Sequence, residues 1–390
     1  MEINIERLYK NVEDLGKIGF EDNVGVTRLA YSSEYDKGVD FVKNLMESAG
    51  LKTYIDPVGN LIGRLEGKSD KTISIGSHLD SVPAGGIFDG TLGVLAGIEC
   101  VRVLQENGYK NHHPIEVIGF TEEEGNVVGG TFGSKCFTGV PIEESSIPKM
   151  EQHGLDMNSV NMARRDSEKY KCYLELHIEQ GGVLDNTKTP IGVVNGIVGI
   201  TRYRATVNGI ANHAGSTPMN LRDDALVKTC KMIIRLMEIA HLKDEEITCT
   251  VGQMTVLPGA VNVIPGKVEF IIELRGKSIA LNEEIIEQFY EEFKNQGLIL
   301  ENILNQKETV LDERIISIIE DCCKEMNIIY RRMYSGAGHD AINMALFTPS
   351  AMIFIPSIDG ISHSIVEKSL PKDIAVGCQV LLNSIVKLDK

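Results

Sequence analysis

His78 and Asp80 stand two residues apart, and Asp89 follows them after a Gly85-Gly86 pair. On an extended chain such neighbours share one face, and the glycines let the backbone carry Asp89 back toward them. Three more polar groups come after apolar runs: Glu122-Glu123-Glu124 after IEVIGFT, His177 and Glu179 after YLEL, and His363 after AMIFIPSIDGIS. Imidazole and carboxylate without thiolate favour zinc, manganese, cobalt or nickel, and this set suffices for two divalent ions. A carboxylate such as Asp89 could bridge them. Paired ions acidify a water and polarise a carbonyl, the chemistry of hydrolysis without a nucleophilic side chain. Of the adjacent Glu123 and Glu124, one can ligate while the other serves as general base, because neighbours at a strand end point in different directions. Asp80 is expected to steady the His78 ring.

The elements that must position these groups are legible as alternating patterns. Between residues 35 and 135 the chain reads as a helix (35–49), strands at 51–55, 60–65 and 72–77, a helix (92–106) and a strand (115–121), with further strands expected at 173–176 and 350–356. Short strands apolar on both faces, alternating with helices, predict an α/β catalytic domain whose mixed sheet is covered by helices. Ligands collect at the carboxyl ends of strands in such sheets, so the four polar clusters can converge. Near residue 200 the texture changes to longer strands of alternating polarity, with helices at 223–240 and 281–295. This reads as β-α-β-β-α, an inserted α+β sandwich. The expected division is residues 1–199 with 310–390 for the catalytic domain and 200–309 for the insertion.

At 390 residues and 43% apolar composition, two cores of unequal size can be filled. A net charge of −16, with lysines and arginines scattered, argues against nucleic acid and anionic membranes as partners and favours a small molecule. No run reaches the roughly 20 apolar residues of a membrane span, and the charged, amphipathic N-terminus has no signal-peptide core, so a cytoplasmic location is expected. The eight cysteines form no C-x-x-C pair and read as reduced, buried thiols. His112, His113, His153 and His241 take structural readings, the first two in a solvated turn. The sequence contains no G-x-S-x-G, G-x-G-x-x-G or G-x-x-x-x-G-K-[ST] signature, which disfavours serine-hydrolase and nucleotide chemistry.

The segments GSHLDSVPAGGIFDGTLGVLAGIE, TEEEGN, HIEQG, ANHAGSTPMNLRDDAL, NVIPG, SGAGHDA and GISHS occur in an order that resembles the hydantoinase/carbamoylase branch of the aminoacylase-like metallopeptidases. The resemblance implies that His78, Asp89 and His177 hold one metal and Asp89, Glu124 and His363 the other, with Glu123 as general acid and base. His177 stands where peptidase relatives typically carry Asp or Glu, which implies a ureido substrate bearing a carboxylate. Gln180, His213, Asn262, Arg275 and the Gly338 amide match substrate-reading positions. Arg275 is suited to clamp a carboxylate and His213 to donate to an oxyanion. Relatives pair as homodimers through the inserted lid domain, with the matched histidine supplied by the partner chain, and catalysis requires closure. The implied reaction is hydrolysis of an N-carbamoyl-L-amino acid to amino acid, carbon dioxide and ammonia. Allantoate amidohydrolase, β-ureidopropionase and an aminoacylase- or peptidase-type hydrolase are the alternatives. The chain departs from the pattern after Glu124, reading Gly125-Asn126-Val127-Val128 where most relatives carry an Arg-Phe pair shortly afterwards.

Overall fold

The computed structural model describes all residues, 1–390. It divides into two compact units, Met1–Asn195 with Val310–Lys390, and Gly196–Thr309. The first division falls inside the strand Ile191–Ile197, a few residues before the position expected from the change in texture.

The first unit is built on a nine-stranded mixed sheet. At its centre Ile115–Phe120, Thr72–His78, Tyr170–Ile178 and Ser350–Ile355 run parallel in that spatial order. Thr72–His78, Ile115–Phe120 and Ser350–Ile355 are buried along their whole lengths, which explains why they read as continuous apolar runs rather than as alternating ones. Antiparallel strands extend both sides, Leu61–Leu65 and Lys52–Ile55 beyond one edge and Ile191–Ile197 beyond the other. Helix Thr91–Glu106 is buried over most of its length, and Pro371–Leu388 packs on it and on the sheet. With four parallel strands side by side, the segments after Phe120, His78, Ile178 and Ile355 all leave from the same edge of the sheet.

The second unit is an antiparallel four-stranded sheet in the order Thr248–Leu257, Lys267–Gly276, Gly199–Asn208, Leu298–Gln306. Helices Ala225–Lys243 and Ile279–Phe293 pack against it, closing a core of Val207, Met232, Leu236, Phe270, Ile272, Ile285 and Phe289. The insertion is therefore β-α-β-β-α-β, not the five-element pattern read from the sequence. The missed edge strand LILENILNQ is exposed over much of its length and carries no clean alternation. The strands Ile191–Ile197 and Tyr330–Ser335 were likewise not anticipated.

Two smaller expectations are corrected. His113 is buried rather than solvated, with Nδ1 2.7 Å from the Lys71 carbonyl and Nε2 2.9 Å from the Lys171 ammonium. All eight cysteines are free, but Cys230 is exposed and Cys249 half-buried. No helix is long and apolar enough to cross a membrane. Phe270 is 1% exposed in the core of the second unit. Phe270→Ala should cost about 3–5 kcal/mol, read as a lowered midpoint in urea-induced unfolding.

Candidate metal centre

The aligned strand ends deliver the polar groups. His78 is the last residue of its strand, and Glu122, Glu123 and Glu124 lie just beyond Phe120. His177 lies at the end of Tyr170–Ile178, followed by Glu179 and Gln180. His363 sits on the irregular segment after Ser350–Ile355, and Asp89 on the loop leading into helix Thr91–Glu106. Glu122, Gln180 and His363 all have φ between +54 and +58°. Left-handed backbone at non-glycine residues costs of order 1–3 kcal/mol each and persists only where surrounding structure enforces it.

Ligand atoms of His78, Asp89 and His177 lie within 4.8 Å of one another, as do those of Asp89, Glu124 and His363. The two oxygens of Asp89 face opposite ways. Oδ1 is 3.6 Å from His78 Nε2 and 3.2 Å from His177 Nε2, while Oδ2 is 3.0 Å from His363 Nε2. Glu124 Oε1 is 3.6 Å from the same His363 nitrogen, and Glu123 Oε2 is 3.8 Å from His78 Nε2. His78 and His177 hold Nδ1 against main-chain oxygens, of Asp80 at 3.1 Å and Ile178 at 2.8 Å, which turns Nε2 of each toward Asp89.

The ring of His78 is therefore steadied by the Asp80 carbonyl, with the Asp80 carboxylate farther away at 3.7 Å. That carboxylate accepts instead from the amides of Glu123 and Glu124, both at 3.2 Å. Asp80 thus ties the glutamates to the strand that carries His78. Arg28, fully buried, reinforces the segment by donating Nε to the Leu79 carbonyl at 2.8 Å, while its own amide donates to Ser81 Oγ at 2.9 Å. Gly90 has φ +64°, and a Cβ there would lie 2.4 Å from the His78 ring. Only glycine lets the chain pass so close.

The electrostatics fit a cationic occupant. Burial disfavours charge on Asp89, but the imidazoles of His177, His363 and His78 packed around it outweigh burial and hold the carboxyl well below its usual range. Burial likewise opposes protonation of His78, yet Asp89, Glu123 and Asp80 raise its imidazole well above the ordinary value. Burial, with Asp89 and Asp80 adding to it against the opposing pull of His78 and His363, pushes Glu124 up to about 7. Buried carboxylates this close repel one another unless positive charge is shared among them. Asp89 Oδ1, Glu124 Oε1 and Gln180 Oε1 are buried without a hydrogen-bond donor. Imidazole nitrogens and carboxylate oxygens in two groups that share Asp89 are the donor set two divalent cations take.

The remaining sequence-selected residues are distributed as follows. Gln180 Nε2 lies 2.8 Å from Asp89 Oδ2 and 3.2 Å from His363 Nε2, at the centre itself. Gly338 lies in the loop between Tyr330–Ser335 and Ala341–Phe347, beside buried His339, whose ring packs edge-on against His177 with centroids 4.5 Å apart. Glu179 caps a short helix by accepting from the Val183 and Leu184 amides, both at 2.8 Å. Glu122 accepts from the amides of Val127, Val128 and Gly129, which shapes the loop after Glu124.

In the second unit His213 and Asn262 are exposed neighbours: His213 bridges Val263, and the Ala214 amide donates to the Asn262 carbonyl at 2.9 Å. Arg275 is elsewhere. It lies at the far end of Lys267–Gly276, paired opposite Ile200, and donates Nε to Glu273 at 2.8 Å. Lys267, at the near end, pairs opposite Asn208. Eight strand steps of roughly 3.4 Å separate the two ends by about 27 Å, too far for one small molecule to touch both within one unit. Sequence order, which places Asn262 close to Arg275, conceals this. Residues that the sequence did not single out are Arg28, Ser362, Glu367 and His339. His339 and Ser362 sit inside quoted motifs, SGAGHDA and GISHS, while Arg28 and Glu367 lie in none.

A profile of the peptidase family M20/M25/M40 matches residues 74–387. An N-carbamoyl-L-amino acid amidohydrolase from Geobacillus stearothermophilus is 40% identical, covering 98% of each chain. An allantoate amidohydrolase from Escherichia coli (strain K12) is 33% identical over 94% of each. Among solved structures, a hydantoinase/carbamoylase family amidase from Burkholderia multivorans superposes with a TM-score of 0.90 at 32% identity, covering 99% of this chain and 98% of that one.

Asp80→Ala should free the Glu123 and Glu124 amides and lower metal affinity or turnover roughly 10- to 100-fold, with secondary structure by circular dichroism unchanged. Wild-type metal affinity and turnover in the folded variant would contradict the positioning role.

Proposed function

Because the chain belongs to the peptidase family M20/M25/M40, in its hydantoinase/carbamoylase branch, and is a hydrolase of carbon–nitrogen bonds other than peptide bonds, we propose that it hydrolyses N-carbamoyl-L-amino acids. The observation that carries the reading is the division of Asp89 between two ligand groups with Glu123 beside them. The activity named for the Geobacillus relative supports the substrate class.

His78, Asp89 and His177 would hold one divalent cation, and Asp89, Glu124 and His363 the other. Cations held there would supply Lewis acidity, polarising a carbonyl and acidifying a water. Glu123 takes a proton from the attacking water as oxygen bonds to the carbamoyl carbon, then delivers it to the departing nitrogen as the carbon–nitrogen bond breaks. Burial, and after it the neighbouring carboxylates against the opposing pull of His78, raises the Glu123 carboxyl well above its usual range, which suits a group that must both accept and return a proton. Ammonia leaves, and the remaining N-carboxy amino acid loses carbon dioxide. Gln180 and the Gly338 amide orient the substrate, Arg275 pairs with its carboxylate, and His213 with Asn262 donates to the developing oxyanion.

Since Arg275 lies a full strand length from His213 and Asn262, those two act on a substrate held by a second copy of the chain. The functional unit is a homodimer formed through the inserted unit. Exposed Ile210, Met219, Leu221 and Val261 flank His213 and Asn262 and supply apolar surface for such pairing. Allantoate is the second reading, favoured by the Escherichia coli relative and compatible with a carboxylate-binding Arg275.

Ammonia release by metal-loaded enzyme from N-carbamoyl-L-amino acids, allantoate and 3-ureidopropionate decides among the ureido substrates. Turnover is expected for the first and is abolished by Glu123→Gln with metal content retained. Hydrolysis of N-acyl amino acids or peptides alone would overturn the reading. In a second experiment, His213→Ala and Glu123→Ala chains, each inactive, are co-expressed. Random pairing should restore roughly a quarter of wild-type activity, because half the dimers are mixed and each has one complete site. No recovery would place His213 in its own chain's site.

A further inference from the structure

Three of the five metal-ligand candidates have a backbone tied to the sheet: His78 and His177 lie within strands, and the Glu124 amide is held by Asp80 beside the His78 strand. Asp89 and His363 do not. Both ride on irregular segments, far apart in sequence, and one buried side chain joins those segments. We propose that Glu367 is a positioning residue of the metal centre, holding Asp89 in register with the segment that carries His363. The proposal rests on the reading of Asp89 as the carboxylate shared by both cations.

Glu367 is 6% exposed. Its Oε1 accepts two consecutive backbone amides, Phe88 at 3.0 Å and Asp89 at 3.1 Å. Its Oε2 accepts from Ser362 Oγ at 2.8 Å, and the same hydroxyl is 3.2 Å from Asp89 Oδ2. One carboxylate therefore grips the backbone of Asp89 directly and reaches its side chain through Ser362, the residue before His363. The loop is moulded around this carboxylate: a Cβ added to Gly86 would lie 2.2 Å from Glu367 Oε1. The turn bond from the Glu367 amide to the Ser364 carbonyl, at 3.0 Å, folds the segment so that Glu367 and His363 both face the Asp89 loop.

A serine hydroxyl has one proton, so Ser362 donates to Glu367 or to Asp89, not to both at once. Donation to Glu367 keeps the serine proton off Asp89 Oδ2, which already accepts from Gln180 Nε2 at 2.8 Å and needs its remaining lone pair to ligate. A carboxylate at position 367, which has no proton of its own to offer, draws the hydroxyl proton toward itself. An amide in its place would still accept the two backbone N–H groups through its oxygen, but would present an N–H to Ser362 and turn the serine proton toward Asp89. Losing the side chain altogether leaves two buried amides unpaired and Asp89 unrestrained. Glu367 touches neither substrate nor reacting atoms, so its effect belongs in metal binding rather than in the chemical step.

The test uses the full-length protein, stripped with a chelator and titrated with Co2+, whose visible spectrum reports ligand geometry independently of activity. Glu367→Ala should weaken the looser of two Co2+ binding steps roughly 10- to 100-fold and alter its spectrum, with turnover largely restored at saturating metal. Glu367→Gln, which keeps the grip on the two backbone amides but turns the serine proton toward Asp89, should weaken the same step less than Glu367→Ala does. Asp89→Asn is the control for the underlying reading. If it binds two Co2+ normally, Asp89 is not the shared ligand and that reading falls. If it loses Co2+ while Glu367→Ala binds both ions with wild-type affinity and spectrum, the positioning role alone is overturned. Should Glu367→Ala fail to fold, Glu367→Asp, which retracts the carboxylate by one methylene, decides: weakened Co2+ binding supports the role, and unchanged binding removes it.

Discussion

Gathering Asp89, Glu123 and Glu124 largely out of water, beside the buried imidazoles of His78 and His177 and the half-exposed one of His363, is an electrostatic constraint before it is a catalytic device. Carboxylates taken out of water repel one another and resist ionisation, and nothing in an apolar core offsets that cost. Nearly every polar detail around the centre works on this problem. Asp80 is engaged by two amides, Glu122 by three, and Glu367 by two amides and a hydroxyl. Each of these neighbouring carboxylates is fixed by backbone donors, so the residual attraction for positive charge is concentrated on Asp89, Glu123 and Glu124.

The architecture follows from where backbone donors and strand ends can be had. Four parallel strands deliver His78, His177 and the glutamate turn to one edge, and the sheet cannot slip by one residue without turning buried side chains to the opposite face. What the strands cannot reach is supplied by loops, held in turn by buried polar side chains. Arg28, which donates its guanidinium to three main-chain carbonyls, plays that part on the His78 side. The left-handed conformations of Glu122, Gln180 and His363 belong to the same pattern, with local backbone strain tolerated where the surroundings determine the chain's path.

Much of this was legible in the sequence, for identifiable reasons. Strands buried on both faces announce themselves as short apolar runs, so TISIGS, IEVIGF and AMIFIP, and the residues after them, could be placed on a common edge. Edge strands carry no such signature, which is why Leu298–Gln306 escaped notice. Ligand types at strand ends could be guessed from spacing. The residues that hold those ligands could not, because their partners are distant in sequence: Glu367 binds the amide of Asp89 and Arg28 the carbonyl of Leu79. The expectation for Asp80 was right in place and incomplete in detail, since spacing identifies which residues are near but not whether carbonyl or carboxylate makes the bond. Arg275 and Asn262 show another limit of sequence order. Thirteen positions of sequence separate them, yet a strand runs nearly straight through most of that interval.

The loop beyond Glu124 is closed on itself by an internal charge. Successive backbone amides that converge on one point form a concavity well suited to a phosphate or carboxylate. Those of Val127, Val128 and Gly129 converge in this way, but the chain fills the concavity with its own Glu122. The three amides are thereby satisfied from within the chain, so the loop leaves none of them as an orphaned donor.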